Sequence, residues 1–183
     1  MLSIRKYEKR DFDSVRYVCL NSDGHIEDQN LCNFILHTFC DYYIEHEPEN
    51  CFVLDDDGKA VGYIICSEDY DGYKKIFDEE YLPLAEKCGE ELYKWALVST
   101  VLQNKYKATY PAHLHIDLLP DYHRQGWGGK LLNTLFDHLR SKGISGVMLT
   151  AGTDNINAGN FYKKQGLTHL ENLGTDVAFG IKL

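Results

Sequence analysis

The sequence predicts an α/β fold, a mixed sheet flanked by helices, and three observations predict it. Apolar runs of strand length alternate with stretches whose apolar residues recur every three or four positions. An Asp-Gly pair joins two of those runs as a tight turn. A glycine-rich loop follows an apolar run ending at Pro120 and precedes a strongly amphipathic stretch. At 183 residues, the chain has the length of one ordinary domain, 1–183. Its 44% hydrophobic and 13% aromatic content exclude a disordered chain.

Leu2 to Tyr7 reads as a first strand. Asp11 can cap a helix whose inner face carries Phe12, Val15, Val18 and Cys19. The pattern breaks at Gly24. A second helical stretch runs from about Asp28 to His46, with Leu31, Phe34, Ile35, Phe39, Tyr42 and Tyr43 inward, and Pro48 ends it. Cys51 to Leu54 and Ala60 to Cys66 form a hairpin across Asp55-Asp56-Asp57-Gly58-Lys59. Those three aspartates lack the twelve-residue spacing of a calcium loop.

Residues 68–109 are charged and tyrosine-rich, too long for an ordinary connection. They read as a helical insertion with helices near 73–77 and 90–105, punctuated by Pro83 and Gly89. Beyond it come a strand at 111–119, a helix at 126–142, a strand at 145–151, a helix at 155–165 and strands near 167–172 and 176–182. The helix at 126–142 turns Leu131, Leu132, Leu135, Phe136 and Leu139 inward and Asp137 and Arg140 outward, and stops at Gly143.

The formal net charge of −9 excludes the basic field of a duplex nucleic-acid binder, and it mildly favours a cationic substrate such as an amine. The six cysteines form no C-x-x-C pair and no zinc pattern, so no metal is expected. They fall within apolar runs, as buried free thiols do. With no signal-peptide segment and no membrane-length apolar run, the expected location is the cytoplasm. Thirteen tyrosines outnumber eight phenylalanines, which suggests half-buried rings or a cleft wall.

The chemistry concentrates between His113 and Tyr162. In His123-Arg124-Gln125-Gly126-Trp127-Gly128-Gly129-Lys130, three glycines remove side chains where backbone can approach a ligand. Backbone N–H groups at the following helix start have no helical partner, and Arg124 and Lys130 add positive charge, so the loop suits a phosphate-bearing ligand. The spacing is neither a dinucleotide-binding fingerprint nor a P-loop. Strand alternation puts His113, His115 and Asp117 on one face. There, Asp117 or a histidine can accept a proton, or the three form a hydrogen-bonded network supporting the core.

Pro120 to Gly128 resembles the [Q/R]-x-x-G-x-[G/A] acetyl-CoA loop of the GNAT N-acetyltransferases, with His123 in place of the usual Gln or Arg. Asn155-Ile156-Asn157-Ala158-Gly159-Asn160-Phe161-Tyr162, continuing to Gly166-Leu167, is similar to that superfamily's N-x-N-A-x-x-F-Y-x-x-x-G-[F/L] segment. A finer resemblance, through Tyr110 to Pro120 and the charged insertion before it, is to the acetyltransferase-like module of O-GlcNAcase proteins and its bacterial single-domain relatives.

The resemblance implies one GNAT domain whose six- to seven-stranded sheet splays between strands 4 and 5. It implies acetyl-CoA as co-substrate, with its pantetheine arm in the splay beside Leu118 and Leu119 and its diphosphate on the amides of Arg124 to Lys130. It implies direct attack by a primary amine, with the thioester oxygen stabilised by a backbone N–H near Leu118. Tyr162 matches the family's general acid, a core aromatic being the other reading, and Asp117 is the candidate base. His123, Gln125, Trp127, Asn155, Asn157 and Ala158 join the cofactor contacts. The acceptor is a small amine or a lysine-bearing molecule, and the chain a monomer or homodimer. The competing expectation is an acyl-CoA-binding GNAT module without catalysis.

Overall fold

The computed structural model describes all 183 residues. A seven-stranded sheet forms the centre: β1 (Leu2–Lys6), β2 (Phe52–Asp56), β3 (Lys59–Ser67), β4 (Ala112–Leu118), β5 (Gly146–Gly152), β6 (Thr168–Leu173) and β7 (Asp176–Lys182). Their spatial order is β1-β2-β3-β4-β5-β7-β6. The sole parallel pair is β4 with β5; all other neighbours are antiparallel. The β2–β3 hairpin turns on Asp57 and Gly58, both at positive φ (49° and 94°), as a two-residue turn requires.

Helices cover both faces. On one lie α1 (Phe12–Asn21), α2 (Gln29–Phe39) and α3 (Asp41–His46), with the insertion helices α4 (Tyr70–Ile76), α5 (Leu82–Lys87), α6 (Glu90–Ser99) and α7 (Val101–Tyr106). On the other lie α8 (Trp127–Ser141) and α9 (Ile156–Lys164). Side-chain alternation along the central strands divides the core in two. Val53, Tyr63 and Ile65 pack with Val15, Phe34 and Tyr43, whereas Leu54, Ile64 and Leu114 pack with Leu131, Leu135 and Leu139.

The expected α8 is present with its five apolar residues buried and its chain stopped beyond Lys142 by Gly143 at φ 75°. Burying five such side chains contributes roughly 2 kcal/mol each. That outweighs the ~1 kcal/mol that each of Gly128 and Gly129 costs inside a helix.

Two expected helices are divided. The 28–46 stretch breaks at Cys40 (φ −132°, ψ −60°). Four consecutive residues, Asp41 to Ile44, are buried after the break, which no single face of a continuous helix could achieve. The 90–105 stretch divides at Thr100. Pro83 does not end a helix but sits in the first turn of α5, where its missing N–H has no role.

Asp28 caps α2 by accepting from the Asn30 and Leu31 amides at 2.8 and 3.1 Å. Asp28→Ala is expected to destabilise the protein by about 1 kcal/mol. Denaturant unfolding measures this directly, and an unshifted midpoint would show that α2 is held by packing alone. All six cysteines are free. No helix is long and apolar enough to cross a membrane.

Candidate active site

The site begins where β4 and β5 part. Their parallel pairing covers only Ala112 with Val147 and His113 with Met148. Beyond that the strands diverge, although β4 stays paired to β3 as far as Leu118, and β5 to β7 as far as Gly152. The sheet therefore splays between its fourth and fifth strands. The Leu119 N–H donates to the Val61 carbonyl at 2.9 Å, toward β3. By alternation, the amides of Ile116 and Leu118 point the other way, into the gap. The Leu119 N–H is thereby taken, and its carbonyl accepts from the Tyr122 N–H at 2.9 Å.

At the mouth of the gap lies the glycine-rich loop. None of the backbone N–H groups from Arg124 to Gly129 has a partner within the protein. Arg124 (φ 58°) and Gly126 (φ 83°) are left-handed, which turns neighbouring amides inward as an anion-binding nest. The α8 dipole begins here and adds positive potential.

Only Gly126 is glycine for the loop's own conformation. A Cβ at Gly128 would stand 3.1 Å from the Phe161 ring, and one at Gly129 would stand 2.9 Å from Oε1 of Gln165. At Gly128 the small residue also lets α8 approach Phe161 of α9, so packing within the protein favours glycine there as well. His123 turns back to β4, its Nε2 donating to the Leu118 carbonyl at 2.8 Å. Gln125 donates to the Asp121 carbonyl at 2.7 Å. The Lys130 ammonium lies 3.8 Å from the Trp127 ring centroid.

The cleft below the loop measures about 180 Å³. Ile116, Asp117 and His115 of β4 form one wall; Thr150 and Ala151 of β5 and Asn155, Ala158 and Tyr162 around α9 form the other, with Asp23 also lining it. Asn155 caps α9 by accepting from the Ala158 N–H at 3.0 Å. Asn157 is exposed on the first turn of α9, with no side-chain hydrogen bond to the protein.

The polar face of β4 falls where alternation puts it, and its three members differ. His113 is buried among Tyr43, Tyr70 and Tyr73, with neither ring nitrogen hydrogen-bonded. Burial pushes it down to about 3. His115 lies 3.1 Å through Nε2 from the Tyr43 hydroxyl, and burial pushes it down to about 4. Both are neutral at pH 7. Asp117 accepts a hydrogen bond from Tyr63, its direct neighbour across the β3–β4 ladder. Burial raises Asp117 to about 7, the nearby Asp23 charge adds to this, and hydrogen bonds from Tyr63 and Ser22 oppose it.

Tyr162 is nearly buried against Phe161 and Phe179, with ring centroids 5.3 and 5.6 Å away, and its hydroxyl has no partner within the protein. Burial, then the Asp117 and Asp23 charges, hold it protonated far into the alkaline range. The core and cleft readings of Tyr162 thus coexist: its ring packs and its hydroxyl meets the gap.

Sequence reasoning missed Tyr63 and Asp23. Tyr63 could have been found by extending the hairpin register to the next strand. Asp23 lies in the irregular turn before α2 and carries no pattern.

A seven-stranded mixed sheet that opens between its one parallel pair, with helices on both faces, defines the class of α/β fold. The chain belongs to the acetyltransferase (GNAT) family, whose model matches residues 8–167. Among solved structures it is similar to SsHAT, with 28% identity, a TM-score of 0.88, and 99% of this chain and 98% of that chain covered. It shares its fold with the PaiA N-acetyltransferase of Thermoplasma acidophilum, solved with coenzyme A (16% identity, TM-score 0.64, 100% and 99% covered). It shares it also with the Drosophila melanogaster polyamine N-acetyltransferase (14% identity, TM-score 0.67, each chain fully covered at 100%).

Proposed function

We propose that the protein transfers an acetyl group from acetyl-CoA to a primary amine by direct attack in a ternary complex. The observation that carries this is the gap between β4 and β5, with six free amides at its mouth and Asp117 and Tyr162 within it. Acetyl-CoA brings its acyl group already activated as a thioester.

The amides of Arg124 to Gly129, with the Arg124 and Lys130 cations, suit a diphosphate. The Ile116 and Leu118 amides suit the amide-bearing pantetheine arm, which they would receive as an added strand. The Leu118 N–H also polarises the thioester carbonyl and steadies the charge that grows on its oxygen. Asn155 and Ala158 border the arm across the cleft, and Asn157 reaches its outer part.

Asp117, raised toward neutrality, accepts the proton of the attacking amine; neutral His115 with its low affinity for protons is a poorer base. Tyr162 donates to the departing thiolate. The resemblance to the acetyltransferase-like module of O-GlcNAcase proteins belongs to the same reading. It is supported by β4, which lies within the Tyr110 to Pro120 segment, and by the four helices inserted before it.

Thermal unfolding with acetyl-CoA, then thiol release with a panel of primary amines, tests the proposal. Stabilisation with turnover is expected. Stabilisation without turnover would leave a binding module, and no stabilisation would remove both readings. Arg124→Gly tests the nest more finely. It relieves left-handed strain of about 1 kcal/mol while removing one cation. A more stable protein with weaker, less salt-sensitive acetyl-CoA binding is expected by calorimetry at low and high salt. Unchanged affinity would move the diphosphate elsewhere.

A further inference from the structure

Tyr63 stands on β3, directly across the antiparallel ladder from Asp117. Its side chain is 1% exposed and belongs to the core that holds Val15, Phe34 and Tyr43. A phenylalanine would fill the same space, and a hydroxyl buried among apolar groups costs stability unless it finds a partner. The Tyr63 hydroxyl makes one hydrogen bond, to Oδ2 of Asp117. Asp117 lines the cleft, and Tyr63 lies behind it without reaching the cleft wall.

We propose that Tyr63 is a positioning residue for the reaction: its buried hydroxyl grips Oδ2 of Asp117 from behind, so that Oδ1 is turned to the amine and takes its proton. The inference rests on the acetyl-transfer reading, with Asp117 as base. The grip is rigid because the β3–β4 ladder is unbroken from Gly62 with Leu118 to Ser67 with His113. Holding one carboxylate oxygen removes the rotation of the other before the substrate arrives. The proton passes from the amine nitrogen to Oδ1. Tyr63 keeps its own hydrogen and donates to Oδ2 before and after the transfer.

The groups around Asp117 pull in opposite directions. Burial favours its protonated form, and the Asp23 charge adds to that. Tyr63 first, then Ser22 at the end of α1, favour the ionised form, which is the one a base needs. His115, two residues back on β4, is neutral, and Tyr162 of α9 keeps its proton. The β5 wall, Leu149 to Gly152, carries no titratable side chain. The thiols of Cys19 and Cys40 are near Tyr63 within the core. Tyr63 is thus the main counterweight to burial. Without its hydroxyl, Asp117 holds its proton further into the alkaline range and turns freely.

The test is the pH profile of kcat and kcat/KM for wild type, Tyr63→Phe, Asp117→Asn and the double variant. The acceptor is whichever of 1,4-diaminobutane, glucosamine and Nα-acetyl-lysine wild type uses fastest. Tyr63→Phe keeps the ring in the core, so the fold is retained. It should move the acid limb up by about one pH unit and lower the plateau kcat by about tenfold, with the KM for acetyl-CoA unchanged. In the Asp117→Asn background the same change should cost about twofold or less, because no base is left to position. Asp23→Asn should move the limb the other way. An unmoved limb in a Tyr63→Phe protein that acetyl-CoA still stabilises, or an equal loss with and without Asp117, would make Tyr63 a core residue only. Acetyl-CoA binding with none of the three amines acetylated would instead overturn the transferase reading, and the positioning role with it.

Discussion

Asp117→Asn is expected to lower turnover by about a hundredfold to a thousandfold, the usual contribution of a positioned general base. Acetyl-CoA should stabilise the variant as it does the wild type, because the diphosphate nest lies on other residues. The pH profile carries the sharper prediction. A base works only when deprotonated, so wild-type kcat/KM should rise with pH through about 7, where burial has moved Asp117. The acceptor's own ammonium titrates far higher, at about 10.4 for a lysine, so the two limbs can be told apart. The Asn variant should lose the limb near 7 and keep the upper one. Full turnover in the variant, or an unchanged lower limb, would return Asp117 to the role of a structural partner for Tyr63.

The same shift fixes the sign of a stability effect. Asp117 binds its proton more tightly folded than unfolded, so between its ordinary value and about 7 the native state holds more protons. Its contribution is therefore most favourable in acid and is lost as pH rises through 7. Asp117→Asn removes that penalty while keeping an acceptor for the Tyr63 hydroxyl. It should unfold at higher denaturant than wild type at pH 8, by on the order of 1 kcal/mol or more, with the difference shrinking toward pH 5. A dead enzyme that is more stable than its parent separates lost chemistry from lost fold.

Much of this site was legible in the sequence because its parts are local. Period-two alternation places His113, His115 and Asp117 on one face without knowledge of their neighbours. The loop between Pro120 and Lys130 is one continuous segment, and Asn155 and Tyr162 share one helix. What was illegible depends on contacts between distant elements. Gly128 looks like clearance for a ligand in one dimension, and only the approach of Phe161 reveals that helix packing asks for a glycine there too. The break at Cys40 follows from burying Asp41 to Ile44 together, a demand made by the sheet beneath. Likewise, the three polar groups on β4 look equivalent in sequence. Burial without partners for His113, a tyrosine partner for His115, and a tyrosine plus a neighbouring carboxylate for Asp117 set them apart.

Tyr162→Phe should reduce kcat by about ten- to a hundredfold and leave the KM for acetyl-CoA and the melting temperature nearly unchanged. The ring keeps its contacts with Phe161 and Phe179, and the lost hydroxyl had no protein partner to leave unsatisfied. The effect should be smaller than that of Asp117→Asn for a chemical reason. A thiol titrates at about 8.5, so a thiolate departs readily even without a proton donor, whereas a protonated amine cannot attack at all. It follows that the defect should shrink as pH rises above that value. Wild type should show no alkaline limb from Tyr162, since burial keeps it protonated there. A variant with wild-type kcat across the pH range would make Tyr162 a packing residue, and the thiolate would then leave unaided or protonated from solvent.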